Sequence, residues 1–79
     1  MEEDWQDAES RVEKAHDLFD RGKWEAAVKE LRAAIRVNPY NHHWHFDMGV
    51  MLDQLGRYEE AANSFRKVLE LNQDDIEAL

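Results

Sequence analysis

The sequence repeats itself with a period of 34 residues. Residues 8–41 and residues 42–75 align without a gap, and similar residues fill the places between the identities. The identical pairs are Leu18/Leu52, Gly22/Gly56, Glu25/Glu59, Ala27/Ala61, Arg32/Arg66 and Asn38/Asn72. A period of this length is typical of arrays in which each unit covers the apolar face of its neighbour. The repeat therefore limits the fold more than any other feature of the chain.

Each unit is predicted to form two helices joined by a tight turn. In the first unit, apolar residues recur at helical spacing before Gly22 and again after it. Gly22 and Gly56 are expected to end the first helix of each unit, because glycine adopts the left-handed conformation of a C-terminal cap. Second helices begin with acids, where the helix dipole favours negative charge. Pro39 ends the first unit, and Asn41 is the expected N-cap of the next helix.

At these positions the chain resembles the tetratricopeptide repeat family. The residues that carry the resemblance are Ala15, Leu18, Gly22, Trp24, Ala27, Leu31, Ala34 and Pro39 in the first unit, and Met48, Gly49, Leu52, Gly56, Tyr58, Ala61, Phe65 and Val68 in the second. The resemblance implies an all-α fold of helix-turn-helix repeats stacked as a short right-handed α-solenoid. Two positions depart from the family pattern: Gln73 replaces a proline, and Arg11 and His45 occupy the usual tryptophan place.

We expect a single domain over residues 1–79. Residues 1–7 are an acidic extension of the first helix, residues 8–41 and 42–75 are the two repeats, and residues 76–79 look like the start of a third.

One face of the second unit is predicted to form the seam between the units. Trp44, Met48, Met51 and Leu55 are spaced four, three and four apart, whereas the places 34 residues earlier hold Ser10, Lys14, Asp17 and Arg21. In a stacked array this face packs against the preceding unit. The polar face of the first unit is therefore expected to be a solvated N-terminal cap, with residue 1 near the natural start of the array.

The opposite end of the pair is predicted to be uncovered. Ala62 and Leu69 correspond to Val28 and Ile35, the residues expected to meet the seam. Because two units are normally too few for a stable array, the chain is either a fragment of a longer protein or associates with itself through Ala62 and Leu69. Under the second alternative, the chain is expected to form a homo-oligomer.

Composition and charge exclude several function classes. The formal charge is −8. No basic face is available for phosphates or anionic lipids, so nucleic acid and membranes are not expected as partners. There is no cysteine, which favours a reducing compartment, and a cytoplasmic protein is expected. Nucleophile motifs and phosphate-binding loops are absent, so we expect no enzymatic activity and no cofactor.

The family resemblance implies a concave groove that binds peptides, lined by the first helix of each unit. The residues predicted to face it are Glu9, Val12, His16 and Phe19 from the first unit and His43, Phe46, Asp47, Val50 and Asp53 from the second. With aromatics and carboxylates but no cation, this surface favours a basic or amphipathic peptide. The alternative is a structural module whose groove is merely solvated.

The same positions disfavour one known group of ligands. Chaperone-binding repeats hold acidic C-terminal tails with cationic and amide side chains, and the matching places here are Val12, His16 and Asp47, with Glu77 beyond them. We therefore do not expect binding of such tails.

The stretch Asn41–Phe46 contains three of the four histidines. His42 and His45 could share one face of the helix, and His43 and Asp47 another, so one helix does not bring four ligands together. His16, His43 and Asp47 form the one trio that could approach a metal across the groove. Solvated or hydrogen-bonded imidazoles are the favoured interpretation, and we predict no metal site.

Overall fold

The computed structural model describes residues 5–77, with side chains for residues 6–72. The described chain consists of α1 (Trp5–Asp20), α2 (Trp24–Val37), α3 (His42–Gln54) and α4 (Tyr58–Glu77). Helix α1 packs along α2 and α3 packs along α4, while α2 contacts α3. The predicted all-α fold of stacked helical hairpins is confirmed.

Both hairpin turns depend on a glycine with positive φ, as the sequence predicts. Gly22 has φ 82° and Gly56 has φ 80°. In the first turn the Gly22 amide donates to the Phe19 carbonyl at 3.0 Å, and the Lys23 amide donates to the Leu18 carbonyl at 2.8 Å. The second turn repeats the pattern at Gly56 and Arg57, with distances of 3.0 and 2.9 Å. These paired bonds form a Schellman motif, which satisfies the last carbonyls of a helix and reverses the chain.

The interiors of the two hairpins are filled by different pairs of residues of complementary size. In the first, fully buried Ala15 on α1 accompanies fully buried Leu31 on α2. In the second, these places hold Gly49 and Phe65. A Cβ atom built on Gly49 would lie 2.5 Å from Cε1 of Phe65, far inside van der Waals contact. Gly49 is therefore needed for the close approach of α3 to the aromatic ring on α4.

The two units differ at the end of their second helices. After α2, Asn38 has extended backbone, and its side-chain Oδ1 accepts a hydrogen bond from the Tyr40 amide at 3.3 Å. Helix α4 instead continues through the equivalent Asn72, whose Oδ1 is buried without a hydrogen bond in the described residues. Gln73 stands where the first unit has Pro39, so nothing prevents the helix from continuing.

Residues 76 and 77 extend α4 and do not open a new helix within the described chain. Residues 78 and 79 lie outside the described residues, as do residues 1–4 of the predicted acidic extension. The predicted start of a third unit therefore stays a prediction.

Replacing Gly49 with alanine should lower the free energy of unfolding by about 1–2 kcal/mol, because the new methyl group forces the Phe65 ring out of place. At an uncrowded helical site the same change would raise the free energy of unfolding, so the sign of the measured change shows whether Gly49 is crowded. Adding Phe65→Leu recreates the Ala15/Leu31 pair of the first hairpin and should recover most of the loss.

Urea denaturation followed by circular dichroism, on both single variants and the double variant, gives the coupling between the two sites. The expectation would be contradicted if the changes in the free energy of unfolding of the two single variants add up to that of the double variant. It would also be contradicted if the Gly49→Ala variant is as stable as the parent.

Candidate functional site

Asn41 fixes the start of α3. Its side-chain Oδ1 accepts hydrogen bonds from the backbone amides of His43 at 3.0 Å and Trp44 at 3.3 Å. These are two of the amides that the first turn of a helix leaves without partners. The predicted N-cap is confirmed, and it determines which side of α3 each following residue faces.

The apolar side of α3 forms the predicted seam. Trp44, Met48 and Met51 are 7%, 4% and 2% exposed, and Leu55 is half-buried. The equivalent residues of the first unit, namely Ser10, Lys14, Asp17 and Arg21, are all exposed. Burial of these large side chains between the hairpins fixes their relative position. It therefore places α1 and α3 side by side on one surface, which is the groove.

The groove contains a cleft of about 240 Å³ between α1 and α3. Its lining consists of His16, Phe19, Phe46, Asp47, Val50 and Met51. Five of these six are residues that the sequence predicts for the groove. Glu9, His43 and Asp53 are exposed and Val12 is half-buried, but these four lie outside the cleft lining. The sequence predicts Met51 for the seam alone. In the structure it also lines the cleft, because its position next to Val50 places it between the seam and the groove.

The two groove aromatics are each supported by a second ring. The centroids of Phe46 and Phe65 are 5.6 Å apart, and those of Phe19 and Trp24 are 6.2 Å apart. Both distances are in the range of favourable tilted contacts. Phe46 nevertheless keeps 51% of its surface exposed, and Val50 keeps 40%. The groove therefore presents apolar surface that is held in place from behind.

One polar contact spans the groove. His16 Nε2 on α1 lies 3.1 Å from Asp47 Oδ2 on α3, within hydrogen-bonding distance. The side chains are 50% and 28% exposed, so water still reaches both. Among the described residues that line the cleft, no lysine or arginine is present to neutralise Asp47.

The histidines do not assemble a metal centre in the described part of the chain. No group of three His, Asp or Glu side chains is arranged there to hold an ion. His16 and Asp47 do meet, but His43 lies against His42, with ring centroids 4.2 Å apart. The three members of the predicted trio therefore do not converge.

His45 has a role that the sequence did not indicate. Its Nε2 lies 2.8 Å from the carbonyl oxygen of Pro39, and because a carbonyl only accepts, the imidazole donates. This bond ties α3 back to the loop that follows α2.

A second cleft, of about 280 Å³, lies on the side of α3 opposite the groove, between α2 and α4. Ile35, Met48 and Leu52 supply its apolar side chains. Arg32 and Glu60 face each other across it with 3.6 Å between Nη2 and Oε1. His45, Asn63 and Ser64 complete the lining. We refer to it as the α2–α4 cleft.

Comparison with known proteins decides the family. The tetratricopeptide repeat family model matches residues 12–76, which run from within α1 to near the end of α4 and include the seam. The chain belongs to the tetratricopeptide repeat family. Tetratricopeptide repeats generally mediate protein–protein interaction and are typically non-enzymatic modules, so a protein partner is the general expectation for this chain.

The chain is also similar to an uncharacterised protein of the archaeon Methanocaldococcus jannaschii. The two are 34% identical over 65 residues, which cover 82% of this chain and 76% of the archaeal protein. Within the part of the tetratricopeptide repeat chain that the structure describes, no helix is long and apolar enough to cross a membrane.

Replacing His16 by glutamine or Asp47 by asparagine should change the free energy of unfolding by less than about 1 kcal/mol, because partly exposed ion pairs contribute little. Asp53→Asn removes another groove carboxylate and serves as the matched control. Urea denaturation at low and high salt gives the free energy of unfolding of the three variants. A loss above about 2 kcal/mol for Asp47→Asn alone would assign the pair a structural role in joining the hairpins.

Proposed function

We propose that the chain binds a segment of a partner protein along the groove between α1 and α3. The observation that carries this proposal is the 240 Å³ cleft, in which exposed Phe46 and Val50 stand over a rigid support. An open apolar surface of this kind favours protein binding, since burial of apolar area drives association. The proposed repeat bounds, residues 8–41 and 42–75, place one groove-lining helix in each unit.

The charges along the groove favour a basic or amphipathic segment. Asp47 lies in the cleft, and Glu9 and Asp53 are exposed on the same two helices. A partner cation next to an apolar side chain could reach Asp47 while the apolar group enters the cleft. Acidic tails are disfavoured by the same carboxylates and by Val12 and His16 at the places where cations would be needed. The side chain of Glu77 lies outside the described set.

Peptide display tests this proposal without a known partner. Peptides selected on the parent protein should lose about tenfold or more in affinity for Phe46→Ala, because truncation of a central aromatic removes an anchor of the interface. Asp47→Asn should weaken binding and reduce its dependence on salt, since one charge contact is lost. Fluorescence anisotropy measures both effects.

Tyr40→Ala is the matched control for these variants. Tyr40 is 76% exposed but lies in the loop before α3, away from the cleft, so its removal should leave the affinity unchanged. Thermal melts confirm that each variant is folded. If the selected peptides bind Phe46→Ala as well as the parent, the groove is not the site. Selection of acidic peptides would contradict the expected partner chemistry.

A second candidate function is assembly through α4, which we propose from the exposure of its outer face. Leu69 is 66% exposed and Ala62 is exposed, whereas Val28, at the place of Ala62 in the first unit, is 3% exposed under α3. The face that α3 covers on α2 is thus uncovered on α4. An uncovered apolar position of this kind favours association with another copy or with a further segment of a longer chain.

Leu69→Lys tests this candidate. If copies associate through the face, the variant should sediment as a monomer at concentrations where the parent forms a larger species, because a buried lysine without a partner is costly. Tyr58→Lys, also on α4 and 67% exposed, is the matched control. Sedimentation velocity over a range of concentrations measures both. A parent that sediments as a monomer throughout would remove self-association from consideration.

A further inference from the structure

The α2–α4 cleft lies at a place where the second unit lacks an ion pair that the first unit has. In the first unit, Arg11 Nη1 on α1 lies 3.0 Å from Glu30 Oε1 on α2, and Lys14 Nζ approaches the other oxygen of Glu30 at 3.7 Å. Residues 34 positions later are His45, Ser64 and Met48. Two long charged side chains have been replaced by an imidazole and a hydroxymethyl group, which leave open the space between the helices.

The bottom of the cleft is apolar and fixed. Met48 and Leu52 are 4% and 2% exposed, since both also belong to the core between the hairpins. His45, which also lines the cleft, donates a hydrogen bond to the Pro39 carbonyl at 2.8 Å, and this bond favours the observed orientation of the imidazole. An occupant would therefore meet a preformed surface, and little conformational entropy would be lost when it binds.

The charges around the cleft are balanced. Glu60 accepts from Arg57 Nε at 2.8 Å and also lies 3.6 Å from Arg32. Arg57 in turn lies 3.5 Å from Glu25. Two cations and two anions thus form one network, and its two members that line the cleft, Arg32 and Glu60, carry opposite charges and offer no excess charge to a ligand. Charge complementarity therefore favours an uncharged occupant.

The size and the polar groups of the cleft favour an aromatic side chain. An apolar cavity of about 150 Å³ accommodates benzene, so a partly open cleft of about 280 Å³ has room for one or two rings. The Arg32 guanidinium at the rim can lie against the face of a ring. The Ser64 hydroxyl can donate to or accept from the polar edge of an indole or a phenol.

We propose that the α2–α4 cleft is a second docking site, which takes a tryptophan or tyrosine side chain of a partner protein. The site is separate from the groove: His45, Met48 and Leu52 lie on one side of α3, and Phe46 and Val50 lie on the other. It does not rest on peptide binding in the groove. A chain with both sites occupied would be contacted on two opposite faces.

Nuclear magnetic resonance titration with N-acetyl-tryptophanamide tests the proposal. Amide shifts should saturate and centre on the helices around Ile35 and Ser64. The matched probe N-acetyl-leucinamide should bind about tenfold more weakly or worse. His45→Arg combined with Ser64→Glu transfers the ion pair of the first unit into the cleft and should abolish the saturable shifts, whereas Phe46→Ala in the groove should leave them unchanged.

Ser64→Leu is a second variant that fills the cleft while keeping the hydrogen bond from His45 to Pro39. It replaces the double variant in the titration if the double variant does not fold. Circular dichroism establishes folding for all variants. The proposal is overturned if the parent shows no saturable shifts, if a folded variant with a filled cleft binds as the parent does, if the leucine probe binds equally well, or if the shifts centre on the groove.

Discussion

Packing of α3 against α2 is the interaction on which the groove and the α2–α4 cleft both depend. Each hairpin could form its own turn and its own interior, and the burial of Trp44, Met48 and Met51 joins the two hairpins through an apolar contact. Full burial of one such side chain stabilises a protein by roughly 1.5–3 kcal/mol. The same contact brings α1 beside α3 on one surface and leaves a space between α2 and α4 on the other.

Helix α3 serves three surfaces at once, and the helical period of 3.6 residues keeps them separate. Trp44 faces α2, Phe46 and Val50 face the groove, and His45 and Leu52 face the α2–α4 cleft. Methionine stands at the boundaries: Met51 touches both seam and groove, and Met48 touches both seam and cleft. An unbranched, flexible side chain suits a position that must pack against two different neighbours.

The features that the sequence predicts correctly depend on the chemistry of individual residues. Gly22 and Gly56 were predicted to adopt positive φ because no other residue does so at low cost, and Asn41 was predicted as a cap because its side chain suits that position. The resemblance to the family implied five of the six residues that line the groove cleft. The acids expected in the first turn of each second helix lie there: Glu25 in α2, and Glu59 and Glu60 in α4.

The features that the sequence did not predict depend on the space between side chains, on the path of a loop, or on a residue that allows a helix without requiring it. His45 and Ser64 line the α2–α4 cleft where the first unit has an ion pair, and periodicity alone does not show how much space these two side chains leave. The bond from His45 to Pro39 depends on the path of a loop, which the spacing of residues does not fix. Helix α4 continues past Asn72 because Gln73 allows the helix without requiring it.

The Schellman turns at Gly22 and Gly56 also determine how quickly the chain can find its fold. Each turn closes a hairpin over only three residues, 21–23 and 55–57, so most contacts join residues that are near in sequence. Helical proteins dominated by such local contacts fold in about microseconds to milliseconds. The two hairpins can therefore form independently and early. Helices α2 and α3 are themselves joined by only residues 38–41, so the packing of Trp44 between the hairpins is also a contact between segments near in sequence.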